Sequence, residues 1–112
     1  SRGLGDVYKR QQVTYAVRDT RIDDKEIHEG DIMGIGDKGI LSVGTDMEKT
    51  VLEMIGEMID EDSAILSIYY GEEMNEDSAN EIAEKVEEEY PDVEVEVHYG
   101  GQPIYYYVIS VE

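Results

Sequence analysis

The chain has 112 residues and carries 28 acidic against nine Lys and Arg side chains, a net charge of −19, with no cysteine. This length and a 40% apolar share suffice for one folded domain, while the lack of cysteine excludes disulfides and thiolate metal sites. The negative charge argues against nucleic-acid binding, and no apolar run approaches the roughly 20 residues of a membrane span, so we expect a cytoplasmic protein without membrane insertion.

The first eleven residues differ from the rest, because they hold three of the nine bases, a single acid and no strand or helix period. Residues 6–11 resemble the translation of an adapter used in preparing DNA sequencing libraries. We therefore assign residues 1–11 to a non-native segment and the native domain to residues 12–112, with a genuine flexible arm as the alternative. Without this segment the domain carries 27 acids and six bases, a net charge of −21.

The first half of the domain predicts strands. Val13, Tyr15 and Val17 alternate with more polar residues, which is typical of a half-buried strand. Residues 22–30 are polar and rich in turn formers, and two apolar runs at 32–35 and 40–43 then flank a Gly-rich turn, a β-hairpin pattern. Because no strand precedes the first one, we expect that the parent protein supplied its neighbours and that it forms an exposed edge.

Two helices are predicted in the second half. Thr45 and Glu48 form a capping-box pattern for a first helix that runs to about Ile59. Asn75 caps a second amphipathic helix over residues 76–90, which has an almost wholly acidic outer face.

Apolar runs of strand length surround the second helix, at residues 64–70, 93–98 and 104–111. The order strand, helix, strand predicts a parallel pair, with the last strand added antiparallel. The predicted fold class is therefore α/β, a mixed sheet with a β-hairpin and two amphipathic helices.

Motifs for catalysis and metal binding are weak. Residues 34–39 match the dinucleotide pattern GxGxxG, but a strand and not a helix follows the glycines, so we interpret them as a turn. Asp60 and Asp62 begin like a calcium loop, although its sixth position is Ile65 and not glycine. With two histidines 70 positions apart, a histidine zinc site has little support.

Two segments are candidates for binding. Arg18 and Asp19 form a polar cluster where the first strand meets a loop, with ordinary turn chemistry as the alternative. The segment 98–107 contains His98, the glycine pair and a run of tyrosines, which suits partner recognition. Its alternative is a simple connection between two strands.

These segments resemble the C-terminal domain of the catalytic A subunit of fatty acid kinase, which is one of the dihydroxyacetone kinase-like, DhaL-domain proteins. The resemblance rests on residues 13–20, 29–35 and above all 95–105, and covers residues 12–112. Tyr106 stands where the family pattern has a proline.

The resemblance implies an ATP-dependent kinase whose ATP and magnesium lie in a missing N-terminal domain, so that this fragment has no cofactor and catalyses nothing alone. It implies docking to a fatty-acid-binding, DegV-like B subunit, and the binding residues that it carries over are His98, Tyr99, Gly100, Gly101, Gln102, Arg18 and Asp19. Three alternatives stay open: a substrate site completed by His98 in the full kinase, a structural or dimerisation role, and a homodimer formed through the parent protein.

Overall fold

The computed structural model describes residues 9–37 and 39–112, which form eight strands and two helices. The strands are β1 Lys9–Tyr15, β2 Thr20–Ile22, β3 Lys25–Ile27, β4 Ile32–Gly36, β5 Gly39–Gly44, β6 Ile65–Tyr70, β7 Glu94–Tyr99 and β8 Tyr107–Val111. The helices are α1 Met47–Met58 and α2 Glu76–Glu89.

Six strands form one mixed sheet in the order β5-β4-β1-β8-β6-β7, and β2 pairs with β3 in a separate small sheet. β6 and β7 are parallel, while β8 is antiparallel to both β6 and β1. The predicted α/β class, the parallel pair and the antiparallel last strand are confirmed. The expectation of an exposed first strand is wrong: β1 lies inside the sheet, because β4 and β8 pair with its two sides.

The core lies between one face of the large sheet and both helices. Val13 lies opposite Tyr107 on the neighbouring strand, and Ile68 lies opposite Ile109. Side chains of directly opposed residues point to the same face of the sheet. These four side chains are fully buried in a single cluster that also takes in the inner faces of α1 and α2. Since both helices contribute to this one cluster, they cover the same face of the sheet.

Each helix begins at a side-chain cap. The Asp46 carboxylate accepts a hydrogen bond from the Lys49 N–H (2.8 Å), so the predicted Thr45 cap is wrong by one residue. The Asp46 side chain accepts from the third N–H of the helix, which is one of the first N–H groups that have no partner within the helix. The predicted Asn75 cap of α2 is confirmed by its bond from the Ser78 N–H (2.8 Å).

β1 begins at Lys9, which lies in the segment that we assigned to a non-native origin. Its ladder with β8 pairs Lys9 with Val111, and ladder pairing uses backbone groups that every residue except proline supplies. The Lys9 ammonium also donates to the Met58 carbonyl oxygen and to the Asp60 carboxylate, each at 2.8 Å. These bonds satisfy the C-terminal end of α1 and lower the pKa of the Asp60 carboxyl group.

The two β-hairpins of the domain turn at glycine or aspartate residues. The predicted β4–β5 hairpin is confirmed. Sequence reasoning read residues 22–30 as turn-rich and missed the β2–β3 hairpin, whose two-residue turn holds Asp23 and Asp24 at φ values of 51° and 64°. Both values fit a type I′ turn, which aspartate tolerates because its side chain bonds locally.

Tyr107 occupies the space between the sheet and the two helices. Its side chain is fully buried, and within the described residues its hydroxyl group has no hydrogen-bond partner. Burial, and next the Glu48 carboxylate, raise the pKa of Tyr107 to about 12. On the surface above, Lys85 of α2 forms an ion pair with Glu48 of α1 and joins the two helices.

The raised pKa of Tyr107 predicts a loss of stability in alkali. Because the folded pKa of about 12 exceeds the free value of 10.0, the contribution of Tyr107 to stability is fully present below pH 10, and up to about 2 to 3 kcal/mol is lost as the pH rises towards 12. Tyr107→Phe removes this loss and stays within about 1 kcal/mol of wild type at neutral pH, since an unpaired hydroxyl is deleted. Urea unfolding across this pH range, with Tyr105→Phe as the control, measures both effects; an unchanged alkaline slope in Tyr107→Phe would contradict the assignment.

Candidate functional site

The C-terminal ends of β1, β5, β6 and β7 lie at one end of the sheet, because alternating pairing gives these four strands the same direction. Both helices also begin at this end, since α1 follows β5 and α2 follows β6. Crevices outside the carboxyl ends of strands are the common binding places of α/β folds. We call this part of the molecule the sheet end.

The loop formed by residues 100–106 crosses the sheet end and is fastened on both sides. The Gly100 and Gly101 N–H groups donate to the Tyr70 carbonyl oxygen (2.9 and 3.2 Å). On the far side, the Tyr106 N–H donates to the Val13 carbonyl oxygen at 2.8 Å. Because the loop is bonded to the ends of both β6 and β1, its backbone is held in one shape.

Gly71 permits the close approach of this loop to the end of β6. Its N–H donates to the Tyr106 carbonyl oxygen (2.8 Å), and a methyl group in its place would lie 2.7 Å from the Gln102 carbonyl oxygen. A second carbonyl oxygen, that of Tyr105, would overlap it as well. Gly101 has a φ of 68°, a conformation that favours glycine, and its Cα faces the Tyr99 ring.

Large apolar side chains are exposed around this loop. The exposed fractions are 66% for Tyr99, 60% for Ile104, 71% for Val17 and 37% for Tyr15. All four follow or end a strand at the sheet end, whereas a fifth exposed apolar residue, Ile22, lies in β2. Tyr15 and Val17 lie on the β1 side of the sheet end and Tyr99 lies on its β7 side. Exposed apolar groups that share one end of a domain indicate an interaction surface more strongly than scattered ones do.

Aromatic ring contacts support the exposed side chains. The Tyr99 ring lies 5.3 Å from that of Tyr70, and the Tyr15 ring lies 5.7 Å from that of Tyr106. Burial, followed by the Glu73 carboxylate and Tyr15, raises the pKa of Tyr106. Rigid rings with a polar tip are suited to binding a protein surface.

Ile104 has an unusual backbone conformation. Its φ is 72°, and the Tyr105 N–H donates to the Pro103 carbonyl oxygen at 2.7 Å, which makes Ile104 the centre of a three-residue γ-turn. This positive-φ γ-turn is rare, and a β-branched residue in it is strained. The Thr14 hydroxyl group donates to the Ile104 carbonyl oxygen (3.1 Å) and holds the turn in place.

The predicted residue His98 lies on the helix-free face of β7. Val95 and Val97 pack against the core, so Glu96 and His98 point to the other face. The His98 ring stacks on Tyr69 with centroids 5.2 Å apart, and its Nε2 lies 3.2 Å from the Glu96 carboxylate. The side chain is 46% exposed, so it is open to a partner.

The other predicted binding residues divide into two groups. Gln102 is committed to the loop, because its amide donates to the Tyr69 carbonyl oxygen at 3.0 Å. Arg18 and Asp19 follow β1, which β8 and β6 separate from β7, so the structure brings them to the same sheet end but not beside His98. Asp19 accepts a hydrogen bond from the Glu29 N–H (2.8 Å), which is turn chemistry. Sequence reasoning did not select Ile104, Val17 or Tyr15.

The catalytic-looking motifs have structural explanations. The glycines at 34–39 lie in the β4–β5 hairpin, where a methyl group at Gly34 would lie 2.6 Å from the Met54 sulfur. The Asp60 carboxylate accepts from the Asp62 N–H (2.9 Å) in a turn. Within residues 9–37 and 39–112, no group of three or more His, Cys, Asp or Glu side chains is arranged for a metal ion.

A groove of about 540 Å³ between the two helices is a weaker candidate. Its lining includes Lys49, Lys85, Glu48 and Tyr90, and Lys85 already pairs with Glu48 across it. Ligand sites are lined mainly by apolar side chains with a few converging polar groups, whereas six of the nine residues that line this groove are charged. In the described part of the chain, no helix is long and apolar enough to cross a membrane.

The fold and the sheet end define a small α/β domain with a mixed six-stranded sheet, two helices on one face and an exposed aromatic end. The chain belongs to the FakA-like C-terminal family, the C-terminal domain of proteins that are like the A subunit of fatty acid kinase, whose model matches residues 5–112. The resemblance inferred from residues 13–20, 29–35 and 95–105 is thereby confirmed.

Staphylococcal proteins are similar to the chain. An uncharacterized protein of Staphylococcus haemolyticus is 50% identical over 104 residues, which cover 93% of this chain and 19% of that protein. An uncharacterized protein of Staphylococcus aureus strain USA300 is 47% identical with the same coverage. The chain therefore spans about a fifth of the length of these curated relatives.

Proposed function

We propose that this chain is the partner-docking domain of a fatty acid kinase and that it binds the fatty-acid-binding, DegV-like B subunit through the sheet end. Membership of the FakA-like C-terminal family supports the kinase assignment. The observation that carries the docking role is the exposure of Tyr99, Ile104, Val17 and Tyr15 at the sheet end, which a firmly bonded loop crosses.

The geometry favours recognition over chemistry. A loop held by hydrogen bonds to β6 and β1 presents its side chains with little further loss of conformational freedom on binding. Phosphoryl transfer needs groups that neutralise charge on the phosphates, and the sheet end is instead flanked by the carboxylates of Glu72, Glu73 and Glu96. ATP and magnesium in this proposal belong to another domain of a longer, cytoplasmic kinase.

His98→Ala tests the predicted part of this surface. We expect the affinity for a purified, fatty-acid-loaded B subunit to fall severalfold in isothermal titration calorimetry, because an exposed aromatic ring with polar nitrogens is lost. The free energy of unfolding should change by less than about 0.5 kcal/mol, since the His98 contacts are on the surface. Gln102→Ala is a poorer test, because it also removes the bond to the Tyr69 carbonyl oxygen.

His28→Ala is the comparison variant, since it removes the other exposed histidine, which lies on the β1 side of the sheet end and is separated from β7 by β8 and β6. If wild-type protein showed no binding to the B subunit, the docking role itself would be wrong. Equal affinities of wild type, His98→Ala and His28→Ala would remove His98 from the surface and leave the docking role standing.

A further inference from the structure

We infer that Ile104 is the anchor of the docking surface, and that it inserts into an apolar pocket of the partner whose border carries basic side chains. This inference rests on the proposed docking function and names the contact that it depends on. Three independent features of Ile104 lead to it: its strain, its exposure and its charged surroundings.

Burial of the Ile104 side chain does not offset the strain of its backbone. Glycine or asparagine at this position would adopt a φ of 72° more easily, and the 60% exposed side chain contributes little to the core. Strained residues persist where the surrounding structure forces them, and they concentrate at binding and catalytic sites. The γ-turn bond from Tyr105 and the bond from Thr14 supply that force here.

The strained turn presents the Ile104 side chain outward on a fixed base. The residues on either side are fastened, because Tyr106 bonds to Val13 and the Gln102 carbonyl oxygen accepts from the Glu72 N–H at 3.1 Å. A branched apolar side chain held in one orientation loses little freedom on binding, which is the property of an anchor residue. Tyr99, also exposed, adds contact area on the β7 side.

The charges around Ile104 define the chemistry of the partner. Glu72 and Glu73 are exposed at the start of the segment that bonds to the loop, and Glu73 acts electrostatically on Tyr106. Glu96 lies beside His98 in β7, the strand that leads into the loop. Arg18 is a base at the same sheet end, but the three carboxylates outnumber it. A partner with basic groups around an apolar pocket is complementary to this pattern.

Ile104→Gly separates an anchor from a structural residue, because it removes the side chain and relieves the strain together. We expect the midpoint of thermal unfolding to stay level or rise, while the affinity for the fatty-acid-loaded B subunit falls roughly tenfold or more. Ile104→Asn, which keeps bulk and tolerates positive φ, should lose affinity to a similar extent. Ile22→Ala is the control, since Ile22 is an exposed isoleucine outside the sheet end.

The charge part is tested by Glu72→Lys combined with Glu73→Lys, which should weaken binding and reduce its dependence on salt. Wild-type affinity in both Ile104 variants would overturn the anchor, even though the docking function would survive. Unchanged or tighter binding of the charge-reversal variant would overturn the basic border of the pocket. No binding by wild-type protein would overturn the docking function and the inference with it.

Discussion

Gly71→Ala is expected to lower the free energy of unfolding by about 2 to 3 kcal/mol, because its methyl group would overlap backbone carbonyl oxygens of the loop. The obstructing atoms belong to Gln102 and Tyr105, and they cannot move aside as a flexible side chain would. Relief requires the loop to lift from β6 and lose bonds such as Gly71 N–H to Tyr106 (2.8 Å). Urea unfolding measures the loss, and the docking affinity should fall with it.

Gly56→Ala is the matched control for this substitution. Gly56 lies in α1, where the nearest atom to an added methyl group is the Tyr90 hydroxyl oxygen at 3.5 Å, an ordinary contact. Alanine in a helix interior is more stable than glycine by about 0.5 to 1 kcal/mol, so this variant should gain stability. A glycine-to-alanine substitution is thus expected to lower the free energy of unfolding at Gly71 and to raise it at Gly56. A neutral Gly71→Ala would mean that the loop is not held against β6.

Ile68→Ala is expected to cost about 3 to 4 kcal/mol. Ile68 is fully buried in β6 between β8 and β7, and truncation there leaves a cavity beneath both helices. Ile65→Ala, on the same strand but the opposite face, removes the same atoms from a half-buried site and should cost less than half as much. Thermal or urea unfolding of the pair tests which face of the sheet forms the core, and equal losses would contradict the single-faced core.

The elements that sequence predicted well are those whose signals are local. The α2 helix is correct to within one residue, because Asn75 caps its start and Pro91 lies just beyond its end. The β4–β5 hairpin follows from glycines between two apolar runs. Such signals depend on neighbouring residues and can be read without the rest of the fold.

The errors in the sheet come from long-range pairing. The last strand, β8, inserts between β1 and β6, and nothing in its own residues specifies those partners. The strand prediction also ran through Val17, but β1 ends at Tyr15 and Val17 is 71% exposed. The alternation of apolar and polar residues continues past the end of β1, because this pattern does not show where strand pairing stops.

The candidate site was predicted in part. His98 and Tyr99 lie on the exposed sheet end, whereas Ile104 fell within the candidate segment 98–107 but was not named as a binding residue, because isoleucine is among the residues least expected at positive φ. The strain that marks it exists only in the folded chain. The β2–β3 hairpin was readable in principle, since Asp23 and Asp24 fit a two-residue turn.

The outer strand β7 also determines how the protein behaves in a crowded solution. As the last strand of its sheet it has one side without a neighbouring strand among the described residues, and its exposed face carries Glu94 and Glu96. A second molecule that approached this edge to add its own β7 would bring like charges together. Acidic side chains on an edge strand therefore protect the domain from growing into a continuous sheet, and replacing both with valine would remove that protection.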